Sequence, residues 1–146
     1  MKVATVLLCV ILMLMSSPQL PTIDAQQKPQ DLAQKAAESW LALCDSGKYA
    51  ESWDEASSGF KAAVTKDKWI GMLQQARTPL GTLQSRKLQG ADYKKDPPGA
   101  PAGEYVILKF DASFEKVPSA TETVSMVLDK DGKWRTAGYF IRPSGM

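Results

Sequence analysis

Two serines stand three residues before a lysine, in Ser58-Gly59-Phe60-Lys61 and Ser113-Phe114-Glu115-Lys116. That spacing sets a lysine beside a serine nucleophile in penicillin-recognising enzymes. The companion strings Ser-Asp-Asn and Lys-Thr-Gly do not occur, and the chain is far too short for that fold, so both copies read as chance. Asp129-Lys130-Asp131-Gly132 carries part of an acidic, glycine-turned calcium loop, but the third acidic position and the closing Glu are missing. A solvated hairpin turn is the better reading. Arg77-Thr78-Pro79-Leu80-Gly81 places a cation at a helix end just before a rigid turn. A favourable charge at the helix C-terminus accounts for it. The functional alternative is an arginine aimed at an anionic ligand or partner, with Arg86 and Arg135 as helpers.

The absences narrow the chemistry further. There is no His and no Asn in the sequence, which excludes His-based triads, His-ligated metal and N-linked glycosylation. General acid/base work would need a carboxylate of raised pKa, for example beside a Tyr hydroxyl. Asp111 and Tyr139 qualify only if both turn inward, and strand alternation puts Asp111 on the polar face. Trp40, Trp53, Trp69 and Trp134, with Tyr49, Tyr105 and Tyr139, offer walls for an apolar or sugar-like ligand, although a small core needs most of them for packing. The candidates for ligand or partner binding are therefore Arg77, Arg86, Trp53, Trp69 and Tyr139. No catalytic residue, cofactor or metal site is expected.

These residues must be positioned by a short series of elements. After Pro29, Ala33, Ala36, Ala37, Trp40, Leu43 and Cys44 recur at helical spacing, and Gly47 terminates the helix. Tyr49, Trp53, Ala56 and Phe60 space out a second short helix whose tail, Ser57-Ser58-Gly59, is a weak helix former. Thr65 caps a third, with Asp67 in its first turn, Trp69, Met72, Leu73 and Ala76 on its apolar side, and Pro79 as its stop. Residues 82–89 form a weakly patterned strand, followed by a loop over 96–103 rich in Pro and Gly. Residues 104–115 alternate clearly, with Val106, Leu108, Phe110, Ala112 and Phe114 on one face. Residues 120–128 repeat the pattern through Val124, Met126 and Leu128, and Asp131-Gly132 turns the chain into a last strand over 133–142. There, either Trp134 with Phe140 or Tyr139 with Ile141 faces inward, one residue of register deciding between them. Helices first and strands after predict an α+β fold: three N-terminal helices on a curved antiparallel sheet of about four strands, closing into a cone with one open end.

The start of the chain has the order of a secretory signal: Lys2, an uncharged, largely apolar run of thirteen residues from Val3 to Met15, then Ser16-Ser17-Pro18. Ala25 before Gln26 offers the cleavage point, giving a signal over 1–25 and one domain over 26–146. The apolar run is shorter than the ~20 residues of a membrane span, so no stable span is expected after cleavage. Cys9 leaves with the signal, so the mature chain holds only Cys44, read as a small buried hydrophobe. Lys2 and Asp24 leave together, so the net charge stays at +2. Such a balance offers no concentrated basic face for nucleic acid.

Taken in order, Trp40-Leu41-Ala42-Leu43, Asp45-Ser46-Gly47-Lys48-Tyr49, Ser52-Trp53, Ala56-Ser57, Phe60, Trp69, Arg77-Thr78-Pro79-Leu80-Gly81, Arg86, Gly103-Glu104-Tyr105, Asp131-Gly132-Lys133-Trp134-Arg135 and Gly138-Tyr139-Phe140-Ile141 resemble the DUF4019 family of bacterial exported proteins. The resemblance covers nearly the whole mature chain. It implies a periplasmic or envelope domain similar in helix-then-sheet order to NTF2-like and cystatin-like α+β folds, and it brings no established reaction. Three functions follow as expectations. The first is a non-enzymatic periplasmic or secreted module that binds an envelope protein or a small ligand. The second is a small His-free lyase or isomerase, and the third a homodimeric envelope structural protein associating through its sheet.

Overall fold

The computed structural model describes residues 27–144, so the expected signal lies outside the described residues. Helix α1 (Pro29–Asp45) starts on its proline and buries Ala33, Ala37, Trp40, Leu41 and Cys44 along one stripe. The second helix differs from the expectation. The chain forms two short helices, α2 (Tyr49–Asp54) and α3 (Ser58–Ala63), making four α-helices among the described residues. Ser57 is the reason for the break, because its hydroxyl accepts from Phe60 N at 3.2 Å and caps α3, while its backbone N donates to Thr136 O at 2.9 Å. Serine competes well for such caps and poorly for helix interiors.

Helix α4 (Lys66–Arg77) begins where expected, with Thr65 Oγ1 accepting from Lys68 N at 3.4 Å. Its inward stripe is Trp69, Leu73 and Arg77, all buried, whereas Met72 is 48% exposed. Four-residue steps therefore carry an arginine, and not Met72, to the core side. A 3₁₀ turn, Thr78–Leu80, leads to Gly81 at φ 75°. A Cβ at that glycine would lie 3.0 Å from Glu115 Cβ, so the turn depends on both the missing side chain and the left-handed backbone.

Strands β1 (Leu83–Lys95), β2 (Glu104–Phe114), β3 (Ala120–Leu128) and β4 (Trp134–Pro143) form one antiparallel sheet in the order β1-β2-β3-β4. The fold is α+β, with helices preceding a curved four-strand sheet. Strand β1 runs six residues beyond its expected end. Its pairing to β2 shifts between Leu83 and Ser85 and again between Leu88 and Gly90. Each shift inserts a residue and breaks the period of two that sequence reading depends on. The main core joins Val106, Leu108, Phe110, Val124 and Met126 to the inner stripes of α1 and α4. A second cluster, Leu80, Ala112, Phe114 and Ala120, closes the far end of the sheet.

The register of the last strand is settled by another bulge. Thr136 pairs with Met126 and Gly138 with Ser125, leaving Ala137 as the extra residue. The inward side is thereby reset, and Trp134 and Tyr139 both pack against the main core. Ile141 joins the second cluster, while Phe140 is 56% exposed.

Candidate functional site

At the junction of the two cores, five elements each send one polar side chain inward. Asp45 ends α1, Arg77 ends α4, Arg86 lies on β1, Glu122 on β3 and Tyr139 on β4. Glu122 is fully buried and Arg77 is 6% exposed. Arg86 donates from both terminal nitrogens to Asp45, at 2.7 and 2.9 Å, and from Nε to Glu122 Oε2 at 2.6 Å. Arg77 Nη1 donates to Glu122 Oε1 at 3.1 Å and to Tyr139 Oη at 2.7 Å, and Nη2 donates to Asp45 Oδ1. The Tyr139 hydroxyl in turn donates to Glu122 Oε1 at 2.6 Å.

Two guanidinium groups face two carboxylates, so the cluster is neutral as well as hydrogen-bonded. Burial alone would lower both arginine pKa values. For Arg77 its electrostatic interactions with Tyr139, Asp45 and Glu122 outweigh it, and for Arg86 hydrogen bonds to Asp45 and Glu122 do so, leaving both above the ordinary arginine range. Burial, followed by the charge of Glu122, pushes the Tyr139 hydroxyl far up, so it stays a donor at any physiological pH. No buried side-chain nitrogen or oxygen among the described residues lacks a partner. The cluster ties the C-terminal ends of α1 and α4 to the sheet and leaves its donors engaged within the fold.

Of the five sequence candidates, Arg77, Arg86 and Tyr139 meet in this cluster. The other two stay in the helical layer. Trp53 Nε1 donates to Val64 O at 2.7 Å, with the Lys66 ammonium 5.2 Å from its ring centroid. Trp69 is buried, donates to Ser52 Oγ at 3.0 Å and takes the edge of Phe60 at 5.0 Å. Arg135 is separate, held by Asp131 at 2.7 and 2.9 Å and by Glu55 at 3.1 Å. Asp111 is exposed on the opposite sheet face from Tyr139, paired across β1 with Lys87, so the two do not meet.

Sequence reading missed Asp45 and Glu122, and each carried a signal. Glu122 has the same strand parity as Val124 and Met126, placing a carboxylate on the apolar face. Asp45 closes a helix at the end where a negative charge is unfavourable without a cationic partner.

The chance strings resolve in the same way. The Ser58 hydroxyl donates to Asp129 Oδ1 at 2.8 Å, while Lys61 donates to Asp54 O at 3.0 Å, so serine and lysine turn apart. Asp129 and Asp131 spend their oxygens on Ser58, Lys130 N, Lys133 N and Arg135. Cys44 is buried and free, and burial pushes its thiol up to about 12. Unfolded cysteine ionises near pH 8.5, so this thiol contributes stability that is fully present below that value and is lost as pH rises toward 12. Native Cys44 is expected to resist a thiol-reactive dye at pH 8 and to react within seconds once denaturant unfolds the chain. Rapid labelling of the native protein would contradict its burial.

A cavity of about 1000 Å³ lies away from the charged cluster. Its floor is the sheet face opposite the main core, at Tyr105, Ile107, Ser125 and Val127. Helix α3 walls it with Phe60, Ala62 and Ala63, continued by Val64 just beyond the helix, and the 96–103 loop covers it with Ala100, Pro101 and Ala102. Tyr105 holds that loop down by donating from its hydroxyl to Pro101 O at 2.9 Å. A second cavity of about 610 Å³ opens between α1, α2 and β4, with Trp40 and Trp134 in its lining. None of the five sequence candidates lines either one.

No curated protein matches the chain. Among solved structures it is similar to a protein of Catenulispora acidiphila solved at 2.5 Å, with a TM-score of 0.51 and 13% identity over 76% of this chain and 88% of that one. This likeness shows the shared fold alone. Over residues 36–139 the sequence matches the family described as a protein of unknown function, DUF4019, and the chain belongs to that family.

Proposed function

We propose that this protein is an exported, non-enzymatic binding module whose ligand lies in the groove between α3, the 96–103 loop and the outer sheet face. The observation that carries the reading is the groove itself. It offers about 1000 Å³ lined largely by apolar side chains, within the size range of small-molecule sites. The buried acid that a His-free lyase or isomerase would need, Glu122, is held by two guanidinium groups and a tyrosine. It lines neither the groove nor the cavities of about 610 and 530 Å³. The signal-like start of the sequence supports an extracytoplasmic site of action.

Thermal shift with the purified protein tests the reading. An uncharged apolar ligand at a hundred times its Kd should stabilise the fold by about 2.7 kcal/mol, raising Tm by roughly 10 °C for a domain of this size. Val127→Glu, on the half-buried groove floor, should weaken that ligand at least about tenfold by placing a carboxylate against its apolar surface, while Tm without ligand holds. A shift that survives Val127→Glu unchanged would move the ligand elsewhere. Concentration-dependent dimerisation that blocks binding would instead favour a self-association face.

A further inference from the structure

The rim of the groove specifies the polar end of its ligand, an inference that rests on the groove being the binding site. Because the four strands are antiparallel neighbours in sequence order, the β1–β2 and β3–β4 connections turn at the same end of the sheet. Lys94, one residue before the end of β1, and Lys130, two residues beyond β3, both line the cavity at that end, and both are exposed. Neither takes part in an ion pair among the described residues, where the eight pairs formed engage other cations. A single acid joins them, Asp129. Its Oδ2 accepts from Ser58 N at 2.7 Å, and its Oδ1 from Ser58 Oγ and Lys130 N at 2.8 Å each. Those bonds hold its carboxyl below the usual aspartate range, the backbone N–H of Ser58 being the largest cause. Two uncommitted ammonium groups therefore outweigh one committed carboxylate at the mouth of an apolar trough.

We propose that the groove takes a monomeric amphiphile with an anionic head, carboxylate or phosphate, its chain lying over Ile107 and Val127 and its head between Lys94 and Lys130. A neutral or cationic amphiphile of the same chain length gains the apolar contact and forfeits the charge interaction. The head-group preference is modest, because ion pairs at an exposed rim are screened by water and salt.

The test displaces an uncharged fluorescent apolar probe from the purified protein with dodecanoate, dodecyl phosphate, dodecanol and dodecyltrimethylammonium, each kept below micelle formation. The two anions should compete about five- to tenfold more strongly than the alcohol, the range two exposed ion pairs supply, and the ammonium should compete least. Half-molar salt should narrow the gap, and the variant carrying Lys94→Gln and Lys130→Gln should close it while still taking up the probe. Equal competition by all four amphiphiles, or a gap that persists in the double variant, would overturn the head-group assignment and leave the groove standing. Failure to take up the probe at all would overturn the groove reading, and the assignment with it. Flotation with anionic vesicles, combined with no displacement by monomers, would also overturn it by identifying a membrane surface as the occupant.

Discussion

Replacing Glu122 by leucine is expected to lower the free energy of unfolding by about 3–5 kcal/mol, the range seen when one partner of a buried ion pair is removed. The loss follows from what stays behind. Arg77 keeps Asp45 and the Tyr139 hydroxyl but loses its contact to Glu122 Oε1, Arg86 loses the acceptor for its Nε, and Tyr139 loses the acceptor for its proton. With Glu122 fully buried and Arg77 6% exposed, water cannot replace those partners, and a guanidinium with too little counter-charge remains inside. Denaturant unfolding monitored by tryptophan fluorescence measures the change, and an unaltered m value would show that the unfolded state is unaffected. Combining Arg77→Met with Glu122→Leu should recover a large part of the loss, because a buried pair replaced as a unit by apolar side chains is often neutral. A loss under about 1 kcal/mol for Glu122→Leu alone would mean that the cluster is solvated and places no constraint on the fold.

Truncating Trp40 to alanine is expected to cost a similar 3–5 kcal/mol, the range for removing a large buried aromatic, and to lower Tm by roughly 15 °C. Trp40 is 4% exposed and stands between the helical and sheet layers. Its ring meets Trp69 at 6.1 Å and the edge of Tyr139 at 5.5 Å. Its Nε1 donates to Ser52 O at 2.8 Å, while the Ser52 hydroxyl receives Trp69. The substitution therefore opens a cavity and also leaves the Ser52 carbonyl without its donor. Trp40→Phe separates the two effects, since it retains most of the ring packing and should lose only about 1–3 kcal/mol from the unmade hydrogen bond. Equal losses for the two variants would show that the indole N–H, and not its volume, is what the fold depends on.

The charged cluster and the groove were legible to different degrees. Arg77, Arg86 and Tyr139 stand out in the sequence one at a time, but their meeting with Asp45 and Glu122 does not, because no local rule relates positions so far apart in the chain. The groove left almost no trace. Ala100, Pro101 and Ala102 look like loop residues, and Ile107 and Val127 look like ordinary strand residues, until the hairpin folds over the outer face.

Local rules reached correct results at most positions where the deciding interaction lies within a few residues, the cap at Ser57 being the exception. Helical spacing from Ala33 to Cys44, the Thr65 cap, the stop at Pro79, the alternation from Val106 to Phe114 and the Asp131-Gly132 turn were all set by backbone geometry and the covalent identity of the side chains. The sequence by itself therefore determined the α+β order, the antiparallel hairpins and which faces of β2 and β3 turn inward. Tertiary structure decided the rest. The bond from Ser57 N to Thr136 O reinforces across the chain a break that the local cap of Ser57 on Phe60 N already makes, and the inward pairing of Trp134 with Tyr139 follows from the bulge at Ala137. Arg77 and Glu122 occupy apolar register positions because each cancels the other's desolvation. Charge at such a position is costly alone and tolerable when paired, and only the folded chain brings the pair together.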